Sequence, residues 1–424
     1  MSRRRTIVLS LLAIGVLAVA PAATAAPPPD TDPGANYRIE GLDTVAERTA
    51  VARSGVDVLG GRGDALEVRA TDAEADTLRA RGLQLLPLPE LPPLPNPRAG
   101  QFPPGYDGYH TYDELGAELD KLAAEHPDLV AVSGYGTSFE GRELPLVKVS
   151  DNVGTDETEP EVLFSCAQHA REHLTVEMCL HTVQRLAAGH GTDPAITDLV
   201  DGRELWLMPM ANPDGAEYDI ASGAFALWRK NRQPNEGSLD VGTDLNRNWG
   251  TQWGCCGGSS DVPADDTYRG TAPFSAPETA QLRDFVAGRV VDGEQQITAH
   301  IDWHTYSELV LWPYGYTESD TAPGLDSGAA ATFRALGEAM AATNGYTPQQ
   351  SSDLYITDGS VNDWMWAEHG IWSYTFEMYP TSELQGGFYP PDTVIEAETA
   401  RNDAAADLLL GYADCVPRIT GGTC

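Results

Sequence analysis

From Leu86 to Arg98 the chain reads Leu-Pro-Leu-Pro-Glu-Leu-Pro-Pro-Leu-Pro-Asn-Pro-Arg. Each proline lacks an amide hydrogen and fixes its own φ, so this run cannot be a helix or an interior strand. It reads as an extended linker between a small N-terminal piece and a much larger C-terminal one. The small piece, residues 37–87, carries apolar runs such as Val56-Asp57-Val58-Leu59 and a helical pattern from Thr71 to Arg81. Residues 27–36, rich in Pro, Asp and Gly, read as an irregular lead-in. A small folded piece, a proline linker and a large domain form the layout of a pro-segment removed on activation; a permanent N-terminal domain is the alternative.

The start of the chain bears on its compartment. Arg3, Arg4 and Arg5 precede an apolar run from Ile7 to Ala20, and Ala23-Thr24-Ala25 fits a small-x-small cleavage site. Residues 1–25 are therefore expected to be a secretory signal peptide, the apolar run being too short for a comfortable membrane span. No later segment is continuously apolar for about 18 residues, so a soluble, exported protein with no membrane partner is expected. Acidic residues outnumber basic ones 63 to 27, for a formal charge of −36. Such a field repels nucleic acid and anionic membrane surfaces alike. Six cysteines without a C-x-x-C pair suit disulfides better than a cysteine zinc cluster, and Cys166–Cys179 and Cys415–Cys424 are the expected pairs.

The large piece, residues 105–413, alternates strands and helices, followed by a short tail, 414–424, holding Cys415 and Cys424. Thr111-Tyr-Asp-Glu114 is a capping box opening a helix with Leu115, Leu119 and Leu122 on one face. Strands are predicted at Ala131–Ser133, Leu144–Val149, Glu161–Ser165, Leu205–Pro209, Ile297–Asp302 and Trp372–Glu377. Helices are predicted at Thr175–Ala188, Pro277–Ala287, Ala329–Thr343 and Thr393–Leu410. The fold class is thus α/β, a mixed twisted sheet with helices on both faces, preceded by the small pro-segment.

His169-Ala-Arg-Glu172 follows an apolar strand and precedes a helix. Imidazole nitrogen and carboxylate oxygen both suit zinc, and a catalytic zinc needs three protein ligands with one position open. His-x-x-Glu supplies two and is weak evidence alone. His169 and His173 have helical His-x-x-x-His spacing, but Ala170 stands where the H-E-x-x-H motif needs Glu, so His173 is read as a second-shell or cleft-wall residue. A third ligand is expected at His304, at the end of a strand; His300 lies on the same strand face but deeper, and reads as core.

Together these pieces resemble the M14-type zinc carboxypeptidases, the family of pancreatic carboxypeptidases A and B and their secreted bacterial relatives. The resemblance covers roughly residues 105–413. It rests on Ser138–Arg142, His169/Glu172, Pro209–Gly215, Trp228-Arg-Lys230, Asp244–Trp249, His304–Ser307, Leu354-Tyr355 and Thr375-Phe-Glu377, in the family's order. It implies one Zn2+ per chain, held by His169, Glu172 and His304, which acidifies water and polarises the scissile carbonyl. It further implies Glu377 as general base and Arg229 as oxyanion stabiliser, with Lys230 and Arg232 as surface charges. Asn246 and Arg247 match the clamp on a terminal carboxylate, Tyr355 the mobile tyrosine that closes over it, and Arg171 and Tyr306 the neighbouring subsites. Asp244 corresponds to a carboxylate that orients His169.

The specificity pocket departs from the family. Asn362 stands where A-type enzymes are aliphatic and B-type enzymes acidic, and Ser360 brings no charge. Without a buried anion, neutral apolar or aromatic C-terminal residues are expected, unless Asp358 points inward. Peptide and protein C-termini are the expected substrates, a protease the possible activator, and a monomer the expected state. A serine hydrolase is excluded because Gly136-Thr-Ser-Phe-Glu140 lacks the last glycine of the nucleophile elbow. A cell-wall peptide amidase on the same scaffold need not keep Asn246, Arg247 and Tyr355, and an inactive binding homologue would drop Glu377 or a ligand.

Overall fold

The computed structural model describes residues 34–89 and 98–424. The expected signal peptide and residues 90–97 of the linker lie outside them. Residues 34–89 form a four-stranded antiparallel sheet from β1 (Ala35–Ile39), β2 (Asp57–Arg62), β3 (Ala65–Ala70) and β4 (Leu85–Pro87), in the order β2-β3-β1-β4. Two short helices, Val45–Ala52 and Asp72–Ala80, each open on a Thr/Glu capping box and close its core around Ile39, Leu66, Val68 and Leu78. The lead-in expected through residue 36 ends earlier, because Ala35 and Asn36 already pair with β3. Pro87 is accommodated in β4 because β4 is an edge strand.

The large domain is built on an eight-stranded sheet. Its strands are β5 (Val130–Thr137), β6 (Glu143–Val149), β7 (Glu161–Cys166), β8 (Glu204–Met208), β11 (Ile297–Thr305), β12 (Leu309–Trp312), β13 (Thr347–Gln350) and β14 (Trp372–Met378). A separate two-stranded ribbon, β9 (Val290–Val291) and β10 (Glu294–Gln295), precedes β11. The order is β13-β12-β14-β11-β7-β8-β6-β5. The central strands β14, β11, β7 and β8 run parallel, while β5, β6 and β12 meet neighbours antiparallel, so the sheet is mixed.

Helices cover both faces, as the alternating pattern predicts. One face packs helices Tyr112–Glu125, His173–Gly189, Ser327–Asn344 and Asp403–Tyr412 into the larger core with Phe164, Ile301 and Trp303. The other packs Pro277–Gly288 and Val361–His369 around Leu163, Met208 and Trp249. Thr111 caps its helix as predicted, its hydroxyl accepting from Glu114 N. The single helix expected over Thr393–Leu410 is two, Ile395–Ala400 and Asp403–Tyr412, broken at Arg401–Asn402. The buried Asn402 amide donates to Glu398 O and accepts from Asn344 Nδ2, both at 2.9 Å, so side-chain bonds replace helical ones there. Sulfur atoms come to bonding distance in the expected pairs Cys166–Cys179 and Cys415–Cys424, and also in the adjacent pair Cys255–Cys256. No helix among the described residues is long and apolar enough to cross a membrane.

The two sheets share one compact unit. Asp57 of β2 takes both terminal nitrogens of the buried Arg171, at 2.8 and 2.5 Å. Glu67 of β3 accepts from Tyr306 Oη at 2.9 Å, and Arg48 donates to Leu354 O and Asp353 O at 2.7 Å. The Gly60–Gly61 backbone passes so near the large domain that a Cβ on Gly60 would lie 2.6 Å from the Tyr306 ring. Asn402→Ala should cost about 2 kcal/mol of unfolding free energy in denaturant titration, since it strands the Asn344 amide and the Glu398 carbonyl.

Candidate metal centre and active site

His169 lies in the loop after β7, Glu172 at the N-cap of helix His173–Gly189, and His304 near the end of β11. All three are buried and could hold a metal ion. His169 Nδ1 is 2.8 Å from Glu172 Oε1, His304 Nδ1 is 2.9 Å from Glu172 Oε2, and the two Nδ1 atoms are 3.1 Å apart. The outer ring nitrogens face carboxylates: His169 Nε2 donates to Asp244 Oδ1 at 3.1 Å and His304 Nε2 to Asp302 Oδ2 at 2.5 Å. A carboxylate only accepts, so each Nε2 carries the proton and each Nδ1 keeps its lone pair. Two lone pairs and a carboxylate directed at one point repel one another unless a cation sits among them. Two imidazoles and a carboxylate are a donor set that suits zinc.

Glu172 is buried between His169 and His304, and a cation held by the three groups would keep its carboxylate charged against the cost of burial. Asp244 is likewise opposed by burial and held low, first by Arg229 and then by His169. Arg229 donates to Asp244 Oδ2 through Nε and Nη2 at 3.1 and 2.9 Å, which fixes its guanidinium beside the cluster. Glu377 pairs in register with His304 across β11 and β14. Desolvation in the cleft pushes its carboxyl up to about 8, with Glu172 adding to the effect and His304 and Arg229 opposing it.

His169, Glu172, Arg229 and Glu377 line one cavity together with Asn246, Arg247, Tyr306, Tyr355, Ser360 and Asn362. Arg247 is oriented by bonds from Nε to Gly258 O and from Nη1 to Asn246 O, and Asn246 Oδ1 accepts from Val361 N. Tyr355 packs against the core of the small sheet, and Val58, Leu59 and Gly60 of β2 complete the cavity wall. Three of the expected residues are outside that lining: His304 and Asp244 lie behind it, bonded to Glu172 and His169, and Arg171 is buried under Asp57 and over the Phe388 ring.

Four expectations are settled differently from one another. His300 is core, as read. His173 is not a cleft-wall residue: it is buried, bonded to Asp219 at 2.9 Å and edge-on to Phe102. Lys230 is not a surface charge either, being buried and donating to Pro263 O and Asp265 O, while Arg232 lies over the rings of Tyr218 and Trp228. Asp358 does not point into the pocket; it accepts from the backbone of Gly254, Cys256 and Gly258 and from the Ser259 hydroxyl. Asp302, which backs His304, went unnoticed in sequence, although His300-x-Asp302-x-His304 puts it on the ligand's face of the strand.

Fold and site together define a metal-dependent peptide hydrolase on a mixed α/β sheet. Residues 115–405 match the zinc carboxypeptidase family, and the chain belongs to it. It is a metallocarboxypeptidase. A zinc carboxypeptidase of Saccharothrix mutabilis subsp. capreolus is 54% identical over 90% of this chain and 89% of that one. Carboxypeptidase A2 of Rattus norvegicus is 35% identical over 67% of this chain and 65% of its own length. Among solved structures, carboxypeptidase A from Helicoverpa armigera superposes with a TM-score of 0.75 at 25% identity, covering 90% of this chain and 98% of that chain. Asp358→Ala should leave several loop donors unpaired and lower stability by about 2–3 kcal/mol, read by chemical denaturation.

Proposed function

We propose that this chain is a secreted zymogen whose large domain removes C-terminal residues one at a time with zinc held by His169, Glu172 and His304. The observation that carries the reading is the convergence of two proton-free Nδ1 atoms and the Glu172 carboxylate beside Glu377. Bound zinc would supply Lewis acidity, acidifying water and polarising the scissile carbonyl. Glu377 takes the proton of the attacking water and delivers it to the leaving amine; its raised affinity for a proton suits that shuttle. Arg229, held by Asp244, faces the charge that develops on the carbonyl oxygen. Asn246 and Arg247 hold the substrate's terminal carboxylate and Tyr355 closes over it. Arg171 and Tyr306 serve the neighbouring subsites once freed of Asp57 and Glu67.

Around Asn362 the pocket carries Ser351, Thr357, Ser360 and Thr375 beside Leu311, with no anion among them. Asp358 is committed to the 254–259 loop, which supports a preference for neutral apolar or aromatic C-terminal residues over Lys or Arg. Digestion of peptides ending in Phe, Leu, Lys and Arg, followed by mass spectrometry, tests both claims. Sequential loss from the C-terminus, fastest for Phe and Leu, is expected. Chelation should abolish it, and Glu377→Gln should slow it by about 10²–10⁴-fold. Internal cleavage would refute the exopeptidase reading, and a clear Lys/Arg preference the pocket reading.

Residues 26–100 act as the pro-segment in this scheme, and residues 1–25 direct export. Asp57 occupies the guanidinium of Arg171, and β2 walls the cavity. Removing one partner of so buried a pair costs about 3–5 kcal/mol. Asp57→Ala should therefore raise the activity of the full-length chain toward that of protein cut within residues 90–97. Equal activity of the intact and cut wild-type forms would rule out latency.

A further inference from the structure

A column of buried polar side chains runs from the cavity floor to the metal cluster, and its middle members, Ser373, His300 and Ser165, have no part in the chemistry above. The Asn362 amide lies 2.7 Å from Thr375 Oγ1 and 2.9 Å from Ser373 Oγ. Ser373 Oγ is 2.8 Å from His300 Nδ1, and His300 Nε2 is 2.8 Å from Ser165 Oγ. Ser165 Oγ is 2.6 Å from Asp302 Oδ1, while Asp302 Oδ2 accepts from Gln168 at 2.7 Å and His304 at 2.5 Å. Every member is buried. The sheet sets this column: His300 pairs with Ser373, and Asp302 with Thr375 on one side and Ser165 on the other.

Counting protons gives the column a direction. Asp302 is an acceptor on both oxygens, so Ser165 spends its one proton there. His300 must then donate from Nε2. Burial pushes the His300 imidazole down to about 4, so near neutral pH the ring has a single proton and its Nδ1 accepts. Ser373 must spend its proton on Nδ1. With the amide nitrogen toward Thr375, Ser373 would face two acceptors with one proton. Reversing the amide satisfies every partner: its NH2 donates to Ser373 and its carbonyl accepts from Thr375.

We propose that His300 is a positioning residue, locking the Asn362 amide at the pocket floor at one end and the Asp302 carboxylate against His304 at the other. The specificity pocket and the metal site are coupled through it. This rests on the zinc carboxypeptidase reading of the cavity, and adds to it a residue that touches neither metal nor substrate.

The test compares wild type with His300→Phe, Ser373→Ala, Asp302→Asn and the His300→Phe/Asp302→Asn double variant. Zinc affinity is read by chelator competition without substrate, and kcat and KM on a peptide with a C-terminal Phe. His300→Phe should weaken zinc binding about tenfold, the low end for loss of support behind a ligand. The double variant should bind zinc no more weakly than Asp302→Asn alone, because His300 acts through Asp302. Ser373→Ala removes a single oxygen and guards against misfolding of the bulkier change; it should raise KM and weaken zinc binding together. Unchanged zinc affinity in folded His300→Phe or Ser373→Ala, or full additivity in the double variant, would overturn the coupling. Kinetics are read on protein cut within residues 90–97, and cut wild type that binds zinc yet cleaves no peptide would defeat the peptidase reading alone, with the zinc comparisons still deciding the column. Wild type that binds no zinc would overturn both.

Discussion

In β11, His300, Asp302 and His304 share one face, and parallel pairing with β14 sets them beside Ser373, Thr375 and Glu377. On the other flank, β7 brings Ser165 against Asp302 and ends just before the loop that bears His169. Because side chains alternate along a strand, a slip of β11 by one residue would turn His300, Asp302 and His304 to the opposite face of the sheet. The His304 imidazole, the Glu377 carboxyl group beside it and the polar column behind it therefore all depend on one ladder of backbone hydrogen bonds. Buried polar groups in such a place are costly unless each is paired, and this column pairs them in sequence.

Cations at the cleft are each tied to an anion or carbonyl that aims them. Arg229 rests on Asp244, Arg247 on Gly258 O and Asn246 O, and Arg171 on Asp57. Asp244 faces His169 as well as Arg229, so one carboxylate orients an imidazole and a guanidinium together. In a chain with a formal charge of −36, these fixed positive groups make the cleft unlike the rest of the surface.

Much of this was legible in the sequence because it is local. The capping box at Thr111 and the alternation of strands and helices follow from rules that span a few residues, whereas the linker read from Leu86 onward hid the edge strand Leu85–Pro87. The ligand set needed the ordered motifs, since His169-x-x-Glu172 alone is common. What escaped was tertiary. Lys230 carries no local mark of burial, and only the folded loop provides Pro263 O and Asp265 O as its acceptors. Asp358 beside the pocket looked free until the 254–259 loop folded over it. The break at Asn402 depends on Asn344, far away in sequence. Asp302 was within reach of strand periodicity, but its meaning depends on Ser165 and Gln168 meeting it from β7 and the loop after it.

The Gly60–Gly61 stretch of β2 covers the cavity with bare backbone, in the middle of a hairpin that continues directly into β3. An enzyme that reads a free carboxyl terminus finds none there. β2 fills that space with a segment that has no end to hold. On the zymogen reading proposed above, such a cover is one that a carboxypeptidase could not trim from within, and release would fall to a cut elsewhere in the chain.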